Sequence, residues 1–190
     1  MRLQPPDLDN LDEEQARVYA LMKSGPRGGA PGPLAMWLRR PALAERAQTL
    51  GEYCRYGSSL ETRLSELGIL VTARAWTSQY EWFVHKKIAL EAGLAPEIVE
   101  AVRRGERPRF TNEEEAIVHD FARELHVKRR VSDETYARAE AILGEARLVD
   151  LVALLGYYCL VSMTLNVFEI PLPEGVSPEL DALPEEGTGA

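Results

Sequence analysis

The chain is poor in cysteine: Cys54 and Cys159 are its only two, far apart, and no C-x-x-C occurs. In a reducing compartment both remain thiols, and inert buried side chains are the simplest account of them. The opening "MRLQPPDLDN" lacks the apolar run and small-residue cleavage site of an export signal, so a cytoplasmic location is expected. Strict polar–apolar alternation is missing throughout, which argues against half-buried strands. Basic residues are the minority, 22 against 30 acidic, for a net charge of −8. That balance repels phosphate backbones and anionic lipid unless a local basic patch overrides it, so neither nucleic acid nor a membrane is an expected partner.

What is present is helical period. With 190 residues, 45% hydrophobic and 27% charged, the chain suits one soluble domain with a sizeable core. The expected fold is all-α. "LDEEQARVYALMKSG" reads as a first helix capped by Asp9 or Asn10, and the Gly/Pro-rich "GPRGGAPGPLAMW" as a loop, so that 1–32 form a helix-and-loop prelude. "PALAERAQTLGEYCRYG" predicts a helix of about four turns ending at Gly57. Ser58 with Glu61, and Thr111 with Glu114, have capping-box spacing before two further helices. The uncharged run "LVALLGYYCLVSMTLNVF" barely reaches bilayer length and carries Gly156, two tyrosines, Ser162, Thr164 and Asn166; a helix through the core or between subunits explains it better than a membrane span. Residues 33–170 thus form the helical domain. The Pro/Glu/Gly-rich 171–190 is expected to hang free or to lie on a neighbouring subunit.

The stretch "TSQYEWFVHKKIALEAG" raises the chemical question. At about 100° per residue, Ser78, Glu81, Trp82 and His85 share one arc with Val84, Ile88, Ala89 and Ala92, while Lys86, Lys87 and Glu91 fall outside it. Ionisable groups on an inward face are costly and seldom idle. Glu66 lies on the inward face of the preceding helix, with Arg63 and Arg74 on an adjacent stripe. Glu66, Glu81 and His85 can therefore meet in one apolar pocket, where desolvation raises a carboxylic acid's pKa and a neighbouring carboxylate raises that of a histidine. The bland alternative is a local i, i+4 contact between Glu81 and His85. Tyr158, Ser162 and Asn166 align at i, i+4, i+8 and face either this pocket or another helix. His119, Arg123 and His126 read as a solvated face, and the E-x-x-H spacing of di-iron bundles is absent, so no metal or other cofactor is expected.

The pattern "ELGILVTARAW", then "EWFVH", then "IALEAGLAPEIVEAV" resembles the carboxymuconolactone decarboxylase and alkyl hydroperoxidase D superfamily, over roughly Pro33 to Pro173. The resemblance implies an all-α fold in homotrimers or homohexamers. It maps the superfamily's glutamate onto Glu66 and its histidine onto His85, and places Ser78 and Glu81 where the peroxidase branch has C-x-x-C. Neither residue can replace a thiolate, so a thiol peroxidase is a distant alternative. The decarboxylase branch implies a cofactor-free lyase or isomerase acting on a small carboxylated lactone. In that scheme Arg74 or Arg63 holds a substrate carboxylate, His85 delivers the proton, and Glu81 or Glu66 orients the imidazole; Ser78, Trp82, Tyr158 and Asn166 are further candidate substrate contacts. A non-catalytic binding or assembly protein on the same fold is the second class.

Overall fold

The computed structural model describes residues 1–182, and these contain helices and no strand. In chain order the helices are α1 (Glu13–Ser24), α2 (Pro33–Trp37), α3 (Pro41–Glu52), α4 (Thr62–Ala75), α5 (Gln79–Glu91), α6 (Pro96–Arg103), α7 (Glu113–Lys128) and α8 (Asp133–Phe168). The all-α expectation is met.

Helix α4 is the axis of the molecule. Every residue from Leu64 to Arg74 is buried, because α5, α6, α7 and α8 all pack around it. Gly68 lets α8 come close: a β-carbon there would lie 3.3 Å from Leu154 and 3.5 Å from Leu151. A helix surrounded on every side must be largely apolar, and in "LGILVTA" only Thr72 is polar, its hydroxyl donating to the Gly68 carbonyl. The uncharged segment of α8 is likewise a core helix on one side, burying Leu151, Leu154, Leu155, Tyr158, Val161 and Leu165. Gly144, with φ 76° and ψ 165°, separates this segment from the charged turns that precede it. Only glycine adopts that conformation without strain.

Several boundaries differ from the sequence expectation, each for a local reason. Asp12, not Asp9 or Asn10, caps α1, in a reciprocal capping box with Gln15. The supposed loop contains α2, started by Pro33 and anchored where Trp37 Nε1 donates to Thr164 Oγ1 at 3.0 Å. Helix α3 ends at Glu52, and Tyr53–Gly57 continue as a π-helical turn. Asn112 rather than Thr111 caps α7, accepting from the amides of Glu114 and Glu115. Neither does Ser58 cap α4. Instead its hydroxyl, the Ser59 amide and hydroxyl, and the Tyr53 hydroxyl all donate to the Asp150 carboxylate on α8, at 2.6–3.2 Å.

Asp150 thus ties the π turn to the last helix. Burial alone would raise its pKa, but the donors from Ser59, Tyr53 and Ser58 hold it below the ordinary aspartate value. A depressed folded-state pKa contributes stability that is present above the unfolded value and is lost as pH falls through the folded one. Asp150→Ala should lower the unfolding free energy by about 2 kcal/mol at neutral pH, since it strands several donors. Urea titration measures this, and the difference from the parent chain should shrink in acid.

The C-terminal segment corrects another expectation. Its stretch around Leu180 packs on its own chain: Leu180 is buried in the core, and the Gln79 side chain accepts from the amides of Glu179 and Leu180 while donating to the Leu180 carbonyl. The final residues, 183–190, lie outside the described part.

Candidate active site

Glu66 on α4 and Glu81 and His85 on α5 meet as the helical geometry requires. All three are buried, at 3%, 5% and 2% exposure. His85 Nδ1 lies 2.6 Å from Glu66 Oε2, and its Nε2 lies 3.1 Å from Glu81 Oε2. The imidazole is clasped between two carboxylates, one from a neighbouring helix and one from a turn below. The i, i+4 contact is real, but it is only half of the arrangement. Tyr158 of α8 closes a third side, with its ring edge-on to the imidazole at 5.0 Å between centroids.

Electrostatics set the charge of this group. Burial alone would lower the His85 pKa, yet the carboxylates of Glu66 and Glu81 more than reverse it and push it up to about 9. At neutral pH His85 is therefore an imidazolium donating from both nitrogens. Burial also raises the Tyr158 phenol well above its ordinary value, so that group stays protonated.

One side of the cluster opens on a cavity of about 70 Å³. His85, Glu81, Tyr80 and Val84 of α5 line it, with Tyr157, Tyr158 and Val161 of α8 and Pro31, Pro33 and Leu34 from the loop and α2. Glu66 is not among the lining residues; it stands behind the imidazole. Two cations complete the wall, Arg27 and Arg55. Both guanidinium groups sit over the Tyr56 ring, at 5.9 and 5.1 Å from its centroid, and Arg27 also donates to the Gln48 carbonyl at 3.2 Å. Such stacking holds two like charges side by side without a carboxylate between them.

The arginines proposed from the sequence are elsewhere. Arg63 forms an ion pair with Glu115 of α7, and Arg74 donates to the Asp181 carbonyl at 2.8 Å and lines a different cavity. Neither lines the His85 cavity, because a stripe adjacent to Glu66 on α4 faces α7 and the C-terminal segment rather than α5. Trp82 is buried with its Nε1 3.3 Å from Glu179 Oε2, and Asn166 donates to the Trp76 carbonyl at 2.7 Å; both serve packing between segments. Ser78, at the N-terminus of α5, is fully buried and its hydroxyl has no partner among the described residues; Ser162 is the same. Of the candidate substrate contacts, Tyr158 lines the cavity.

Gly51, in the last turn of α3, was invisible to sequence reasoning and matters here. A β-carbon at that position would overlap the Tyr157 hydroxyl and lie 2.7 Å from Arg27 Nη2. Its absence makes room for both cavity-lining side chains. Arg27 and Arg55 were also missed, since one sits in an irregular loop and the other in the π turn, where no wheel assigns a face.

His119 and His126 correct a further expectation. Both are buried rather than solvated, because α7 turns that face toward α4. His126 Nε2 lies 2.9 Å from Thr72 Oγ1, and burial, with Arg129 nearby, lowers its pKa to about 4. It is a neutral core histidine.

The helical order and the Glu66–His85 pair can now be set beside known proteins. A model of the carboxymuconolactone decarboxylase family matches residues 41–122, which include Glu66, Glu81 and His85. That match spans less than half of the chain. Three solved structures share the wider fold. The debrominase Bmp8 without ligand is 15% identical with a TM-score of 0.71, over 90% of this chain and 91% of that one. A cysteine-to-alanine variant of Bmp8 in complex with 2,3,4-tribromopyrrole has the same identity and coverage and a TM-score of 0.72. An uncharacterized peroxidase-related protein from Silicibacter sp. TM1040 is 13% identical with a TM-score of 0.72, over 90% of both chains. No curated protein sequence matches. At such identities these neighbours establish the common fold.

Proposed function

We propose that the chain is a cofactor-free acid–base enzyme, a carboxy-lyase of the carboxymuconolactone decarboxylase type, acting on a small unsaturated lactone acid in the cytoplasm. The observation that carries this reading is the buried Glu66–His85–Glu81 array facing a small cavity that also presents Arg27 and Arg55. Loss of carbon dioxide breaks the carbon–carbon bond and leaves its electron pair on the unsaturated lactone as a dienolate. That anion needs stabilisation at oxygen and a proton at carbon. Glu66 fixes the imidazolium, which holds the proton at neutral pH. Glu81, which shares a hydrogen bond with His85 Nε2 and lines the cavity, passes it on to carbon. Arg27 and Arg55 suit the developing oxyanion or an anionic group that is retained. A guanidinium clamped on the departing carboxylate would instead stabilise the ground state and slow the reaction.

A turnover screen of small unsaturated lactone acids, read as carbon dioxide release, tests the reading. Arg55→Ala should raise KM for the accepted acid by about tenfold, the worth of one charge-assisted hydrogen bond. Release of carbon dioxide from none of these acids would sink the proposal.

One observation favours a second reading, a binding protein without catalysis. Both His85 nitrogens are already engaged by carboxylates, so the imidazole itself presents no free nitrogen to a ligand. The two readings part on whether His85 variants change turnover or affinity alone. A thiol peroxidase has less support: burial raises the pKa of both Cys54 and Cys159, and the thiolate is the reactive form.

The same chain is proposed to assemble as a homotrimer or homohexamer. Val149, Val152, Leu160, Met163 and Val167 are exposed along α8 at spacings that place them, with Gly156, on one stripe, and Phe83 and Leu90 are exposed on α5. A continuous apolar stripe at intervals of three and four is what a helix packed against a second copy presents. Light scattering should give at least three chains per particle at micromolar concentration. A monomer would contradict it.

A further inference from the structure

The second cavity shares no residue with the first. It measures about 590 Å³ and lies between the end of α4, the end of α6 and the C-terminal half of α7. In a chain of net charge −8, its wall carries four arginines, Arg74, Arg104, Arg123 and Arg129, against one acid, Glu106. Glu106 is already paired with Arg104 at 2.9 Å, and Arg129 donates to the His126 carbonyl. Arg123 has no ion-pair partner among the described residues.

Arg74 is the decisive group. It is only 6% exposed, it lines this cavity, and its Nη1 donates to the Asp181 carbonyl, yet its Nε has no partner among the described residues. Burial lowers the pKa of this guanidinium; the nearby Asp181 carboxylate offsets only part of that cost, and Arg103 adds to it. Trp76, Val71, Val102 and Val127 supply an apolar side to the same space. A volume of this size holds an organic ligand, and guanidinium groups match carboxylate and phosphate oxygens in pairs.

We propose that the cavity between α4, α6 and α7 is a binding site for a multiply charged small organic anion, a phosphate ester or polycarboxylate, separate from the His85 cavity. The anion accepts from Arg123 and Arg129 at the rim, and the Arg74 guanidinium in the wall supplies positive charge behind it. The proposal stands independently of any decarboxylase activity.

Calorimetric titration of the full chain with inorganic pyrophosphate and with citrate tests it, the two probes separating phosphate from carboxylate preference. Saturable binding of either is expected, weakened about tenfold by Arg123→Ala and further by Arg123→Ala with Arg129→Ala. Both residues are exposed, so these variants keep the fold; Arg74→Met, which also removes the contact with Asp181, is informative only beside them. Arg55→Ala, at the other cavity, should leave this affinity unchanged. Absence of saturable binding by both probes overturns the proposal. So does binding that survives the double variant or is lost in Arg55→Ala, and so does a change of oligomeric state in Arg123→Ala without loss of affinity, which would make the cavity part of a contact between copies.

Discussion

His85→Ala is expected to lower turnover of the accepted lactone acid by about 10²-fold or more, the usual share of a positioned acid–base group. The structure adds a complication that spacing alone did not reveal. Removing the imidazolium leaves Glu66 and Glu81 buried and facing one another without their cation, and breaking such an array costs about 3–5 kcal/mol. His85→Gln is the cleaner partner experiment, since its amide keeps a donor between the carboxylates and moves no proton. Circular dichroism should show both variants helical, with turnover lost in both. Full turnover in a folded His85→Gln variant would end the acid–base reading. The pH dependence carries a sign. A His85 pKa of about 9, above the ordinary 6.5, means that the proton donor is present at neutral pH and is withdrawn as pH rises through about 9. The accompanying stability is complete below about 6.5 and is lost over the same rise. A turnover profile falling on the alkaline side near pH 9 is expected, and one that falls between 6 and 7 would contradict this assignment.

Gly51→Ala is the second large effect. One added methyl group would overlap the Tyr157 hydroxyl and crowd Arg27 Nη2, so either the tyrosine or the α3 backbone must move. Overpacking of this kind costs about 1–3 kcal/mol in stability. The larger consequence is functional, because Tyr157 and Arg27 both line the His85 cavity. KM should rise at least as much as in Arg55→Ala, and the melting temperature should drop. A variant with unchanged KM and melting temperature would show that α3 has slack to spare beside Tyr157.

How much of this was legible in the sequence depended on whether a residue lay on a regular helix. Glu66, Glu81 and His85 lie within the regular helices α4 and α5, so a wheel places each on an inward face before any coordinates are known. The wheel gives the face of a residue and not the neighbour it meets. Arg63 and Arg74 were therefore placed near the right helix and against the wrong partners. Arg27, Arg55 and Gly51 escaped because a loop, a π turn and a missing β-carbon leave no periodic trace. The expected Ser58 cap failed for a different reason. Ser58 had a stronger attraction in Asp150, distant by 92 residues in sequence, than in the helix beside it. His119 and His126 were misread because the charges around them concealed an inward face whose partner, α4, is more than forty residues upstream.

The close approach of α4 and α8 at Gly68 sets an order of events during synthesis. The apolar axis of the molecule, Leu64 to Ala73, leaves the ribosome long before Leu151, Leu154 and Leu155, the side chains that cover its Gly68 face. Until α8 emerges, that face has no native cover and the nascent chain carries a sticky, incomplete bundle. Closure then joins segments separated by more than eighty residues, a long-range step that slows folding and prolongs exposure. A chain interrupted between α7 and α8 would be a substrate for chaperones rather than a smaller version of this fold, and the last helix made is the one that allows the first half of the protein to become a core.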